Sequence, residues 1–187
     1  MQAVAIERRA YYELFESNLI SETVFRELML KIENLGYCIR NNEIPPFENF
    51  AIHSKTGLVQ KYFNYFSKIL ITKKNRLRKL TQKIEFYVAI AKAGITVSKT
   101  LAHLAELNMT APEIVTPCTE FFEVRWRIAK QKLEHILKEH AEESDNISEN
   151  ILCRAANSIE KNVIDELALN GGISEQVKMK LKSDFAN

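Results

Sequence analysis

The chain has 187 residues, 46% of them hydrophobic and 27% charged, and these fractions are typical of a globular protein rather than a disordered one. Its formal net charge of +2 does not require a polyanionic partner, so such a role would have to come from local clusters of charge. Three widely separated cysteines argue against a disulfide framework, and no apolar run approaches the roughly 20 residues needed to span a bilayer.

The first predicted element is a helix, a tight turn and a second helix, over residues 2–17 and 21–36. Asn18 stands where the first helix must end, and asparagine tolerates the left-handed conformation found at many helix C-termini. Ile20 then precedes Ser21, whose hydroxyl can accept a backbone N–H of the second helix. Apolar residues recur at helical spacing around the turn: Ala3, Ile6, Ala10, Leu14, Val24, Leu28 and Ile32.

The same pattern returns at the other end of the chain. Residues 6–32, here called the first unit, align without a gap with residues 159–185, the second unit, and nine of the twenty-seven positions are identical. Gly171, Ile173 and Ser174 take the places of Asn18, Ile20 and Ser21. The two helices of each unit form one apolar face. Such a helical pair is too small to be stable unless this face packs against something else. We therefore expect both units to contribute to packing or to interaction.

Between the units, a polar segment with two adjacent prolines predicts a linker over residues 38–56. Residues 57–93 contain no proline and no glycine after Gly57, and they show strong helical periodicity, as one long helix or as a hairpin turning near residues 72–75. Gly94 is expected to break this pattern. A further helix is predicted over about 113–142, with an apolar seam that we expect to pack inside the domain: Phe122, Trp126, Ala129, Leu133 and Ile136.

No alternating strand pattern is found in the sequence, so the predicted fold class is all-α, a bundle of about seven or eight helices with a helix-turn-helix unit repeated at each end. We divide the chain into the N-terminal unit (1–37), the linker (38–56), basic central helices (57–110) and a C-terminal part (111–187) made of a long helix and the second unit.

The sharpest charge feature lies in the middle of the chain. Residues 49–84 contain nine Lys or Arg and no Asp or Glu, and five of the nine cluster at the centre: Lys73, Lys74, Arg76, Arg78 and Lys79. Such a cluster attracts phosphate, either in the anionic inner leaflet of a membrane or in nucleic acid. It is also typical of an ordinary solvated helix face. The sequence leaves all three interpretations open.

No catalytic constellation is recognisable. The cysteines form no CxxC pair, no nucleophile has an evident base, and no glycine-rich loop could hold a phosphate. His135 and His140 are five residues apart and so do not share one helix face as metal ligands would. We therefore expect a protein that is not an enzyme and has no cofactor and no metal.

The C-terminal region resembles a known family. Residues 111–185, with PEIV at 112–115, EVRWRIA at 123–129 and IEKNVIDELALNGGISEQVKMKL at 159–181, are similar to the cytoplasmic regulatory tail of monovalent cation/proton antiporters. The first unit, with RRAYYELFESNLISETVFREL at 8–28, looks like the same kind of element. Gly171 and Ser174 match the turn of such tails, whereas Asn18 departs from it in the first unit.

The resemblance implies a non-catalytic regulatory and oligomerisation domain on the cytoplasmic side of an integral membrane protein that exchanges Na⁺ or K⁺ for protons. Its partners would be the membrane part of the transporter or a second copy in a homodimer, and the basic cluster would face anionic lipid headgroups. Two alternatives remain: a free-standing helical interaction protein, such as an adaptor or a bacterial effector, and a helical nucleic-acid-binding protein.

Overall fold

The computed structural model describes residues 2–41, 73–107 and 111–184 of the chain. All regular structure in these ranges is α-helical, in agreement with the predicted fold class; the ranges hold six helices, and the seven or eight predicted for the whole chain stay a prediction. The helices are α1 (Gln2–Glu16), α2 (Glu22–Arg40), α3 (Lys73–Glu106), α4 (Pro112–Glu139), α5 (Ala141–Leu169) and α6 (Glu175–Asp184). Most of the predicted linker, and the possible hairpin turn up to residue 72, lie outside the described residues.

The prediction that Gly94 ends a helix is wrong, because α3 continues through this residue to Glu106. A Cβ atom at Gly94 would lie 2.8 Å from the Cβ of Trp126 and 3.3 Å from the carbonyl oxygen of Phe122. Both of those residues belong to α4, so the glycine is needed for the close approach of the two helices. Packing against α4 thus outweighs the low helix propensity of glycine.

Two predicted boundaries also shift. Helix α2 extends to Arg40, so residues 38–40 are helical and do not belong to the linker; Leu35 and Gly36 are buried near its end, and this packing holds the helix beyond the glycine. The predicted helix over 113–142 ends at Glu139, because His140 leaves the helical conformation at φ −129° and ψ 45°. Glu142 and Glu143, which follow, lie in the first turn of α5. The positive end of the helix dipole stabilises carboxylates at this position.

The two turns between paired helices have the same backbone geometry. Asn18 and Gly171 have φ values of 54° and 71°, as predicted for the left-handed residue that ends each helix. In the first turn, Asn18 N–H donates to the carbonyl of Phe15, and the next N–H donates to that of Leu14. In the second turn, Gly171 donates to Ala168, and the next N–H to Leu167. That the two segments are copies of one unit stays a prediction, although their turns close in the same way.

The main core lies where the first unit packs on α3. It joins one apolar face of each of α1 and α2 to the middle of α3, and Ala129 of α4 also belongs to it. Its buried α3 members are Phe86, Tyr87, Ala89, Ile90 and Ala93. The α4 seam packs within the chain, as predicted, because Phe122 and Ala129 are buried and Leu133 and Ile136 are packed against buried residues of the cores. The first half of α5 packs in a smaller core, where Ile147 joins Leu80 and Ile84 of α3.

Candidate interaction surface

A buried ion pair joins α1 of the first unit to α4. Arg125 donates from Nη1 to Oε2 of Glu7 over 2.9 Å and from Nη2 to Oε1 over 2.8 Å. The hydroxyl of Tyr11 also donates to Glu7. Burial, followed by the charge of Glu7, raises the pKa of Tyr11 well above its usual 10.0, so this phenol stays protonated and remains a donor. Burial opposes the charge on Arg125, yet pairing with Glu7 and Tyr11 raises its pKa.

A second buried carboxylate ties the turn of the first unit to α3 and α5. Oε2 of Glu85 accepts the backbone N–H of Ser21 over 2.9 Å and the Ser21 hydroxyl over 2.6 Å. Its other oxygen accepts a bond of 2.5 Å from Arg154 of α5. The expectation that the Ser21 hydroxyl caps α2 is therefore wrong, because this hydroxyl donates to Glu85 instead of accepting a backbone N–H. A side chain from another helix satisfies the first backbone donor of α2.

Equivalent apolar residues of the two units differ sharply in exposure. In the first unit, Leu14, Val24 and Leu28 are 3%, 1% and 1% exposed. Their equivalents in the second unit, Leu167, Val177 and Leu181, are 44%, 45% and 37% exposed. Ile159 and Val163 of α5 are also exposed. We call these five residues, together with Glu160, the second-unit face. A helix face that is apolar and exposed marks a candidate site for binding another protein.

Glu160 lies within the apolar part of this face. It is exposed and shares one side of α5 with Val163 and Leu167, because residues three, four and seven apart are neighbours on a helix. Its equivalent in the first unit is Glu7, which is 1% exposed and held by Arg125. The two units thus carry a carboxylate at the same place, buried and paired in one and facing solvent in the other.

Ion pairs between the two helices of the second unit hold α6 against α5. Asp165 accepts from Lys182 over 2.7 Å and pairs with Lys178 over 3.2 Å. The hydrogen bonds from Lys182 and then Lys178 lower the pKa of Asp165, and the bond to Asp165 raises the pKa of Lys178. Ser174 accepts the N–H of Val177 over 3.4 Å, a long bond at the start of α6. The second unit is therefore assembled as a helical pair even though its apolar face is uncovered.

Comparison of the chain with protein-family models, with curated proteins and with solved structures finds no match. The surface must therefore be interpreted from its own chemistry.

The structure places the predicted turn residues in two different settings. Ile20 is 1% exposed and Ser21 is bonded to Glu85, so both serve the internal packing of the chain. Ile173 is half-buried and Ser174 is exposed. Asn18, Gly171 and Ser174 are exposed, so of the predicted turn residues Ile20 and Ser21 are the two that internal packing occupies.

The predicted anionic-surface cluster begins α3. Arg76, Arg78 and Lys79 are exposed, whereas the side chains of Lys73 and Lys74 lie outside the described part of the structure. Arg76 donates to Glu143 of α5, and this bond lowers the pKa of Glu143. Arg78 lines the same open hollow as Glu142 and Glu143. These carboxylates offset part of the positive charge, so binding of this cluster to phosphate stays a prediction.

Within the described ranges, no group of three or more histidine, cysteine or acidic side chains could hold a metal ion. Over the same ranges, none of the helices is long and apolar enough to cross a membrane. Cys38, Cys118 and Cys153 are free thiols. The buried carboxylates Glu7 and Glu85 bond to neighbouring side chains within the fold rather than lining a cleft.

Sequence reasoning missed the residues that distinguish the two units. Nothing in the sequence connects Glu85 with Ser21, because 64 residues separate them. For Arg125 a signal was present: it lies three residues after Phe122 and four before Ala129, and so on the same helix face as the apolar seam of α4. A cation on an apolar face requires a buried anion, and the glutamate shared by the two units is such an anion.

Proposed function

We propose that this chain is a non-catalytic helical interaction domain, and that its second-unit face binds an amphipathic helix of another protein. The observation that carries the proposal is the contrast in exposure between equivalent apolar residues of the two units. The first unit is covered by helices of the same chain. In the second unit Ile164 is buried, but the five apolar residues of the second-unit face stay exposed in the described part of the structure. A helical partner would bury this face as α3 buries the first unit.

The chemistry of the face favours a protein over a lipid surface as its occupant. Glu160 lies among the apolar residues, and insertion of the face into a bilayer would force this carboxylate toward hydrocarbon. Glu149 and Glu166 are also exposed on α5, and anionic headgroups repel such groups. A protein can cover the same apolar residues and still provide donors to the carboxylate.

Site-specific photo-crosslinking in the source cell tests this function. A photoreactive residue is placed at Val163 or Leu167, and at Leu30 as a control, because Leu30 is an exposed apolar residue on the outer side of α2. We expect a discrete adduct from the first two positions but not from the third. Mass spectrometry of the adduct should map the crosslink to an amphipathic helix of another protein. Adducts with lipid or with a second copy, or equal yields at all three positions, would refute the proposal.

The antiporter tail remains our hypothesis for the protein in which this domain acts, and it is supported by the quoted residues of the resemblance alone. Under it, the partner helix belongs to a separate protein that binds the transporter's tail, and this binding differs between transporter conformations. Blotting soluble and membrane fractions with an antibody against this domain tests it. A band well above 21.6 kDa and confined to membranes is expected. A soluble band of that mass would leave a free-standing adaptor as the form of the interaction domain.

A further inference from the structure

The first unit provides an internal template for how such a unit is covered. Its central carboxylate, Glu7, receives both terminal nitrogens of Arg125 from α4. The guanidinium lies 5.3 Å from the ring centre of Phe122 and 5.6 Å from that of Phe121. In the first unit α3 covers most of the apolar residues, and α4 adds one arginine that is set among aromatic side chains. This is the feature that allows a carboxylate to be buried within an apolar interface.

A helix that covers the second unit must also provide a cation for a carboxylate. Glu160 stands where Glu7 stands, and Val163 and Leu167 stand where Ala10 and Leu14 stand. Any helix that covers these apolar residues also removes water from Glu160. An uncompensated carboxylate in that position would cost more than the apolar contacts contribute. A partner without a cation at this point is therefore strongly disfavoured.

We infer that the partner of the second-unit face is a helix that carries an arginine on its apolar side, and that this arginine pairs with Glu160. The inference rests on the proposed function and specifies the chemistry of the partner. Arginine fits better than lysine because its planar group can bond both oxygens of the carboxylate at once, as Arg125 does with Glu7.

Arg125 of a second copy is a poor source of this arginine in the folded state. Arg125 is 5% exposed and already bound to Glu7 of its own first unit. To reach Glu160 of a neighbour, it would have to leave a buried carboxylate unpaired in its own core, which is costly. We therefore assign the occupant to a different protein, and a second copy that uses one of its exposed arginines is an outcome of the test below.

A peptide of residues 112–139 of this chain serves as the probe, because it is the helix that pairs with Glu7. The purified full chain is titrated with this peptide, labelled with a fluorophore, and anisotropy is measured. We expect binding that weakens at least about tenfold when the chain carries Glu160→Gln or the peptide carries Arg125→Gln. Glu160→Arg in the chain should restore binding to a peptide with Arg125→Glu. Glu160 is exposed, so circular dichroism should show these variants folded like the native chain.

Two further variants separate the inference from the function. Val163→Asp should abolish binding, and Leu30→Asp, a similarly exposed apolar position on α2, should leave it unchanged. If Val163→Asp abolishes binding but Glu160→Gln does not weaken it, the arginine inference fails and the interaction function stands. If the peptide does not bind, or binds regardless of Val163→Asp, both fail. Sedimentation of the chain alone gives the remaining outcome, because a dimer dissociated by Val163→Asp would make a second copy the occupant and overturn the inference.

Discussion

The two ends of this chain share a sequence pattern and a turn geometry, yet one is part of the core and the other is exposed. The first unit buries its apolar side on α3 and its glutamate against Arg125. The second keeps the same kinds of residue in contact with solvent. A local pattern of apolar residues thus determines that a helical pair forms and which side of it needs cover. What covers it depends on residues elsewhere in the chain or in another protein.

Replacing the glutamate that the two units share should give the largest difference in stability between them. Glu7→Ala leaves Arg125 buried without its anion, and we expect a loss of about 3–5 kcal/mol in the free energy of unfolding. Glu160→Ala, at the equivalent exposed position, should change it by less than about 0.5 kcal/mol. Urea unfolding followed by circular dichroism measures both. Similar losses in the two variants would show that the second unit is packed as firmly as the first.

Truncation of one leucine to alanine should give the next largest difference in stability between the two units. Leu28→Ala creates a cavity in the main core and should cost about 2–5 kcal/mol. Leu181→Ala is expected to cost less than about 1 kcal/mol, because its side chain already contacts water and leaves no closed cavity. Thermal unfolding of the two variants side by side is sufficient. A Leu181→Ala variant as unstable as Leu28→Ala would mean that the second-unit face is covered in solution.

Much of the helical structure could be predicted from the sequence because its causes are local. The apolar spacing predicted paired helices at both ends, and Asn18 and Gly171 were identified as left-handed residues from their chemistry alone. Gly94 was misread for the converse reason. Its role depends on Trp126, 32 positions further along the chain, and a local propensity rule cannot detect that contact.

The candidate surface was harder to predict than the fold. The sequence showed two equivalent apolar faces and gave no means of deciding which one the rest of the chain would cover. That choice depends on pairings between distant residues, Glu7 with Arg125 and Ser21 with Glu85. Neither pairing produces a periodicity or a motif. The exposed face could therefore be recognised only once those partners were placed.

Replacing the serine at each of the two turns should give a smaller difference in stability. Ser21→Ala removes a hydroxyl donor from the buried carboxylate of Glu85, and bonds to charged groups are worth about 1.5–3 kcal/mol. Ser174→Ala removes only a long capping bond, and we expect about 0.5–1 kcal/mol, confined to α6. Chemical denaturation reports the first effect and amide hydrogen exchange of residues 175–184 the second. A larger global loss for Ser174→Ala than for Ser21→Ala would reverse the comparison.

The smallest expected effect is local and depends on pH. Lys182 and Lys178 hold the pKa of Asp165 below its ordinary value of 3.8, so the folded pKa is lower than the unfolded one. The stabilisation of α6 by these pairs is therefore fully present above pH 3.8 and is lost as the pH falls through the lower folded value. Carbon chemical shifts of residues 175–184 should move toward coil values over that range. The Asp165→Asn variant should show partly frayed α6 already at neutral pH and little further change on acidification. If this variant kept the acid transition of the native chain, another carboxylate, such as Glu175 beside Lys178, would be the group that titrates, and the pairs of Asp165 would not be what holds α6.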